Sequence, residues 1–141
     1  MPTDCQAKNT RMVIDTSSLV CILLDEPEAE RYARRLSEMD SAHLMSAATW
    51  LETMLVISAR RGELGRQSLD ELLALAVIEI QAVDTELVRI AYRAWLQFGK
   101  GRHPAGLNFG DCFSYALAKK RQEPLLFKGE DFSKTDITSA L

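Results

Sequence analysis

The sequence predicts an α/β domain in three layers, with helices on both faces of a parallel sheet. Three observations predict it. Short apolar runs rich in branched residues ("MVID", "HLMS", "VIEIQAV" and "PLLFKG") alternate with longer stretches of helical periodicity. Most of those longer stretches open on a residue able to cap a helix, and two close on glycine. Strands separated by whole helices cannot return through a tight hairpin, so they pair in parallel and the helices cover both faces. The chain has 141 residues, 47% of them hydrophobic, which fills one core: residues 12–141 read as a single domain and 1–11 as an N-terminal extension.

The elements follow in order. "MVID" (12–15) is a strand ending on an acid, and "TSS" after it offers capping hydroxyls to the helix "LVCILLDE". "PEAERYARRLSEM" is a second helix, with Pro27 at a first helical position and Ala29, Tyr32, Ala33 and Leu36 along one face. "HLMS" (43–46) is the second strand. "AATWLETMLVISARRG" is a helix closed by Gly62, with Ala48, Leu51, Leu55 and Ala59 as its expected buried stripe and Glu52 at the margin. "SLDELLALA" matches a capping box through Ser68 and Glu71. "VIEIQAV" (77–83) is the third strand, followed by a helix capped at Asp84 and ended by Gly99. "GKGRHPAGLN" is the one long loop, "LNFGDCFSYALAKK" the last long helix, and "PLLFKG" (124–129) the fourth strand. "DITSAL" is a candidate edge strand.

Composition excludes several classes of function. A formal net charge of -3 leaves no global field for coating nucleic acid, so any such contact is local. Three cysteines, Cys5, Cys21 and Cys112, are odd in number and widely spaced, which fits reduced thiols in a cytoplasm better than disulfides or a thiolate metal site. No run of eighteen apolar residues exists, and no membrane association is expected.

In a parallel sheet, strand ends and helix starts share one edge. Asp15, Glu52, Asp111 and Asp131 should therefore face the same rim. Each has an ordinary alternative: Asp15 and Asp111 as helix caps, Glu52 in a salt bridge or reaching to water, Asp131 as a turn residue beside Glu130. Together they repel, at roughly 4 kcal/mol for a pair about 4 Å apart in an effective dielectric of 20, and a divalent cation resolves that conflict. All-oxygen donors favour Mg²⁺ or Mn²⁺ over zinc, with His43 and His103 read as surface or strand-end residues. Hydroxyls of Thr16, Ser17 and Thr135 either hold metal-bound waters or cap turns. Such a site suits hydrolysis of phosphodiesters. Lys128, Lys134, Lys119 and Arg121 would supply local positive charge for the polyanion.

The order "VIDTSSLV", "WLETMLVISARRG", "LNFGDCFSYALAKK", "PLLFKGEDFSKTDI" resembles PIN-domain ribonucleases, most closely the VapC-type toxins of toxin-antitoxin pairs, from Met12 to about Ile137. The resemblance implies a PIN-like sheet of about five parallel strands and a Mg²⁺- or Mn²⁺-dependent endoribonuclease acting on RNA, often transfer or ribosomal RNA. It also implies a homodimer and inhibition by a cognate VapB-type antitoxin. Carried over by motif, the catalytic and metal-binding acids are Asp15, Glu52, Asp111 and Asp131, with Thr16 and Asn108 in support; Glu130 and Asp136 leave the fourth position open. The apolar first two helices would form either a groove for an antitoxin helix or simple core. A PIN-like binding module without catalysis and a receiver-like phosphoacceptor are the competing readings; intact acids at all four positions oppose the first, and "DTSS" in place of paired acids opposes the second.

Overall fold

The computed structural model describes residues 11–38 and 42–141; most of the expected N-terminal extension, including Cys5, lies outside the described residues. The elements in chain order are β1 (Val13–Ile14), α1 (Thr16–Leu23), α2 (Ala29–Ser37), β2 (His43–Ser46), α3 (Ala47–Leu75), β3 (Ile78–Gln81), α4 (Thr85–Phe98), α5 (Phe109–Arg121) and β4 (Leu125–Leu126), followed by a 3₁₀ turn at Phe132–Lys134. Strands alternate with helices as their apolar runs require, and all pairs are parallel in the order β3-β2-β1-β4. The chain builds outward from β1 to β3, then returns to place β4 on the other side of β1. The β1/β4 seam is thus the switch point of the sheet, with the Asp15 amide donating to the Leu126 carbonyl at 3.0 Å.

Both faces of the sheet are dry, and side-chain alternation divides them. Val13, Leu44 and Leu125 point to a core built with α4 and α5, while Met12, Ile14, Met45 and Leu126 point to a core built with α1, α2 and the second half of α3. Among the described residues four strands form where about five were expected. The "DITSAL" segment contributes one parallel bridge, Leu125 with Ser139, because only the amide donated to Thr138 O and the carbonyl accepting from Ala140 bind it to β4.

Local chemistry explains the other departures. Gly62 does interrupt the third helix, at φ 63° and ψ -155°, but helix resumes at once, so both halves fall within Ala47–Leu75. Ser68 is therefore inside a helix rather than capping one, and its hydroxyl donates to Leu64 O at 3.1 Å. Pro27 precedes α2, which starts at Ala29 behind Glu28. The buried stripe of α3 is Thr49, Thr53, Ile57, Gly65 and Leu69, whereas Leu51 and Leu55 are 53% and 62% exposed. In the first turns Thr49 and Thr53 face inward in place of Leu51 and Leu55, because their hydroxyl oxygens find partners inside the fold. His43 also departs from expectation: it is fully buried, with Nε2 3.3 Å from Leu36 O and Nδ1 unpartnered. Cys21 and Cys112 are buried free thiols. No helix of the described residues is long and apolar enough to cross a membrane.

Candidate active site

The rim where β1 and β4 end gathers the acids from four separate elements. Asp15 caps α1 in extended conformation, and its carboxylate is almost wholly buried. Oδ2 accepts from the Ser17 amide at 3.0 Å and from Ser17 Oγ at 2.6 Å; Oδ1 accepts from Ser114 Oγ of α5 at 2.5 Å. Ser17 Oγ in turn accepts from the Lys128 amide at 2.9 Å, which ties this corner to the chain leaving β4.

Glu52 stands in the second turn of α3, half-buried. Its Oε1 accepts from Thr16 Oγ1 at 2.9 Å, and Thr16 also lies 2.9 Å from Thr53 Oγ1. Burial pushes the Glu52 carboxyl above its ordinary range, the Thr16 hydrogen bond opposes that, and the Asp15 charge adds to it. The carboxylate rests on the backbone of Gly110, where a Cβ would collide with both of its oxygens. Glycine at 110 is therefore what lets the acid of α3 reach the start of α5.

Asp111, one residue on, does two things. With Asn108 it forms a capping box: Asn108 Oδ1 accepts from the Asp111 amide at 2.9 Å and Asp111 Oδ2 accepts from the Asn108 amide at 3.1 Å. Yet its carboxyl is pushed up to about 7. Burial is the main cause, opposed by the Asn108 amide and reinforced by the charges of Asp15, Asp131 and Glu52. Those three contributions place all four acids within one electrostatic neighbourhood. Asp131, exposed before the 3₁₀ turn, uses its side chain in no cap. Among the described residues no three of the acids close into a ready-made metal cage.

Other expectations resolve individually. The Thr135 hydroxyl donates to Phe132 O at 2.6 Å and accepts from the Ile137 amide at 3.2 Å, ending the 3₁₀ turn. Asp136 is engaged by Tyr115 Oη and Lys119 Nζ, both at 2.6 Å. Lys119 and Lys128 do not offer free positive charge, since Lys128 pairs with Glu26 at 2.8 Å. His103 Nδ1 accepts from the Ala105 amide within its own loop. Sequence reasoning missed Ser114, Ser46, Thr49 and Thr53. Thr49 and Thr53 do recur at the i, i+4 spacing of one face of α3, whereas Ser46 and Ser114 lie on other elements and carry no such signal.

Comparison with known proteins adds four findings. The PIN domain family matches residues 12–137. Ribonuclease VapC30 of Mycobacterium tuberculosis is 55% identical, covering 91% of this chain and 97% of its own length. Among solved structures, the sarcin-ricin loop cleaving toxin VapC20 of M. tuberculosis aligns with a TM-score of 0.75 at 16% identity, covering 90% of this chain and 96% of that one. A toxin-antitoxin complex from Klebsiella pneumoniae aligns at 0.68 and 17% identity, covering 92% and 98%. At those identities the two solved structures establish the fold alone.

Proposed function

Because this chain belongs to the PIN-domain family, and within it to the VapC ribonucleases, we propose that it is a divalent-metal-dependent endoribonuclease toxin whose centre is Asp15, Glu52, Asp111 and Asp131. One observation carries this reading: Glu52, hydrogen-bonded to Thr16 beside the buried Asp15, rests against the backbone of Gly110 next to Asp111, whose carboxyl is pushed up by burial and by the neighbouring acids. Neighbouring acids that have no cationic side chain among their hydrogen-bond partners, as holds here among the described residues, support an external cation. The donor set fits Mg²⁺ or Mn²⁺, since every candidate ligand is oxygen and Mg²⁺ takes one or two carboxylates while keeping several waters, so a closed cage is not needed. Asp15, Glu52, Asp111 and Asp131 would hold it. When bound, such an ion polarises a phosphoryl oxygen and lowers the pKa of water.

The chain's own groups have distinct tasks in this reading. Ser17 and Ser114 keep Asp15 oriented, Thr16 and Gly110 hold Glu52 over the first turn of α5, and Asn108 ties Asp111 to the helix start. The substrate in this reading is RNA, the class that the names of the related VapC ribonucleases imply. In this reading the protein acts in the cytoplasm, where RNA is available to it.

Two partners complete the proposal. A cognate VapB-type antitoxin helix would seat in the cleft between α1 and α3, about 320 Å³ and lined by Leu23, Ile57, Arg61, Leu64 and Gly65. A second copy of the chain would cover the apolar face of α4 and α5, where Tyr92 is 59% and Phe109 80% exposed. The deciding experiment is cleavage of total RNA by the wild type and by Asp15→Asn, with Mg²⁺, Mn²⁺ or EDTA. Cleavage by the wild type alone, abolished by EDTA, is expected; equal cleavage by both proteins overturns the assignment.

A further inference from the structure

We infer that Ser46, Thr49 and Ser114 form a one-way chain of hydroxyl donors that orients the Asp15 carboxylate for cation binding, with Ser114 as its terminal positioning residue. The inference rests on the metal-dependent reading above. All three hydroxyl residues are about 1% exposed and lie on different elements: the end of β2, the first turn of α3, and α5.

The direction of the chain is forced. An ionised carboxylate only accepts, so the single proton of Ser114 Oγ belongs to Asp15 Oδ1, 2.5 Å away. Ser114 can then meet Thr49 Oγ1, at 3.3 Å, only as an acceptor. Thr49, its proton committed, must accept from Ser46 Oγ at 2.9 Å, and Ser46 Oγ in turn accepts from the Thr49 amide at 3.0 Å as the cap of α3. Every hydroxyl is satisfied and every dipole points the same way, which polarises the chain toward its last member. Asp15 has about four lone-pair sites. Ser114, the Ser17 amide and Ser17 Oγ occupy three, which leaves one direction for an incoming ligand. A cap on one helix is thereby coupled to the geometry of an acid on another.

Outer-shell partners of this kind typically change metal affinity by about 10–100-fold when removed. The test is Mn²⁺ binding to the full chain, followed by the loss of the free-ion electron paramagnetic resonance signal, without RNA and alongside thermal melting. Ser114→Ala is expected to bind Mn²⁺ at least about tenfold more weakly. Thr49→Val, nearly isosteric but without the hydroxyl, should weaken binding by a smaller factor, and Thr49→Ser should restore it. The double variant Ser114→Ala/Thr49→Val should bind no more weakly than Ser114→Ala, because Thr49 acts only through Ser114. In cleavage assays kcat should fall while KM for RNA holds.

Wild-type affinity in Ser114→Ala overturns the inference, as does additivity in the double variant. Should Ser114→Ala fail to fold, equal Mn²⁺ affinity in Thr49→Val and Thr49→Ser overturns it instead. A wild type that binds Mn²⁺ with the expected pattern of weakening but cuts no RNA keeps the relay and removes the nuclease reading. A wild type that binds no Mn²⁺ removes both.

Discussion

Replacing Asp111 by Asn deletes a charge that its surroundings oppose while keeping an oxygen for the capping box. The carboxyl rises from 3.8 in a free chain to about 7 in the fold. At 1.36 kcal/mol for each pH unit this corresponds to an upper bound of roughly 4 kcal/mol, and the half-exposed rim screens it to about 2 kcal/mol. The sign follows from proton linkage. The folded state holds this proton more tightly than the unfolded state, so the stabilising contribution is complete below pH 3.8 and is lost as pH rises through about 7. Asp111→Asn should match the wild type near pH 4, gain steadily to pH 7, and remain about 2 kcal/mol more stable at pH 8, measured by urea denaturation. Adding Mn²⁺ at pH 8 should raise the midpoint of the wild type and leave the variant's unchanged, and RNA cleavage by the variant should fall by about two orders of magnitude or more. A variant less stable than the wild type at pH 8 refutes this reasoning. It would mean that the negative charge strengthens the bond from the Asn108 amide by more than the repulsion costs, so that a neutral oxygen is a poorer acceptor there.

Gly110→Ala improves helix propensity by about 1 kcal/mol but drives a methyl group into the Glu52 carboxylate; RNA cleavage should drop at least tenfold while the melting temperature changes little, and full activity would show that Glu52 need not rest there. His43 titrates with the opposite sign to Asp111. Burial lowers its pKa below 6.5, so the folded state takes up its proton less readily than the unfolded state, and this stabilising contribution is lost as pH falls below 6.5. Comparing wild type with His43→Gln from pH 8 to pH 5 should show the wild type losing ground only below pH 6.5, and a pH-independent difference would mean that the unpartnered imidazole is solvated after all.

Strand positions were readable because β1, β2 and β4 are short and buried on both faces, which leaves an apolar run with few alternatives, while the edge strand β3 shows by its alternation. "HLMS" became β2 residue for residue. Boundaries were less legible where two helices share one axis: a capping box at Ser68 and a stop at Gly62 are both real local patterns. The resumption of helix directly after Gly62, which keeps Leu69 in the core, decided between them. The leucines of α3 mislead for a related reason. Hydrophobicity ranks Leu51 and Leu55 as core, but Thr49 and Thr53 have partners for their hydroxyls only on the inner side.

By itself the sequence determined the α/β class, the parallel pairing, and the arrival of Asp15, Glu52 and Asp111 at the same edge, since alternation of strand and helix sends every helix start to the ends of the strands. Only the tertiary structure decided what each acid meets there. One of the two hydroxyls holding Asp15 comes from a serine 99 residues away. The glycine under Glu52 matters through a missing Cβ, and Asp136 is withdrawn by Tyr115 and Lys119 while Asp131 remains exposed. Orientation and solvation depend on contacts between elements distant in the chain, and these carry no periodicity that a one-dimensional pattern can record.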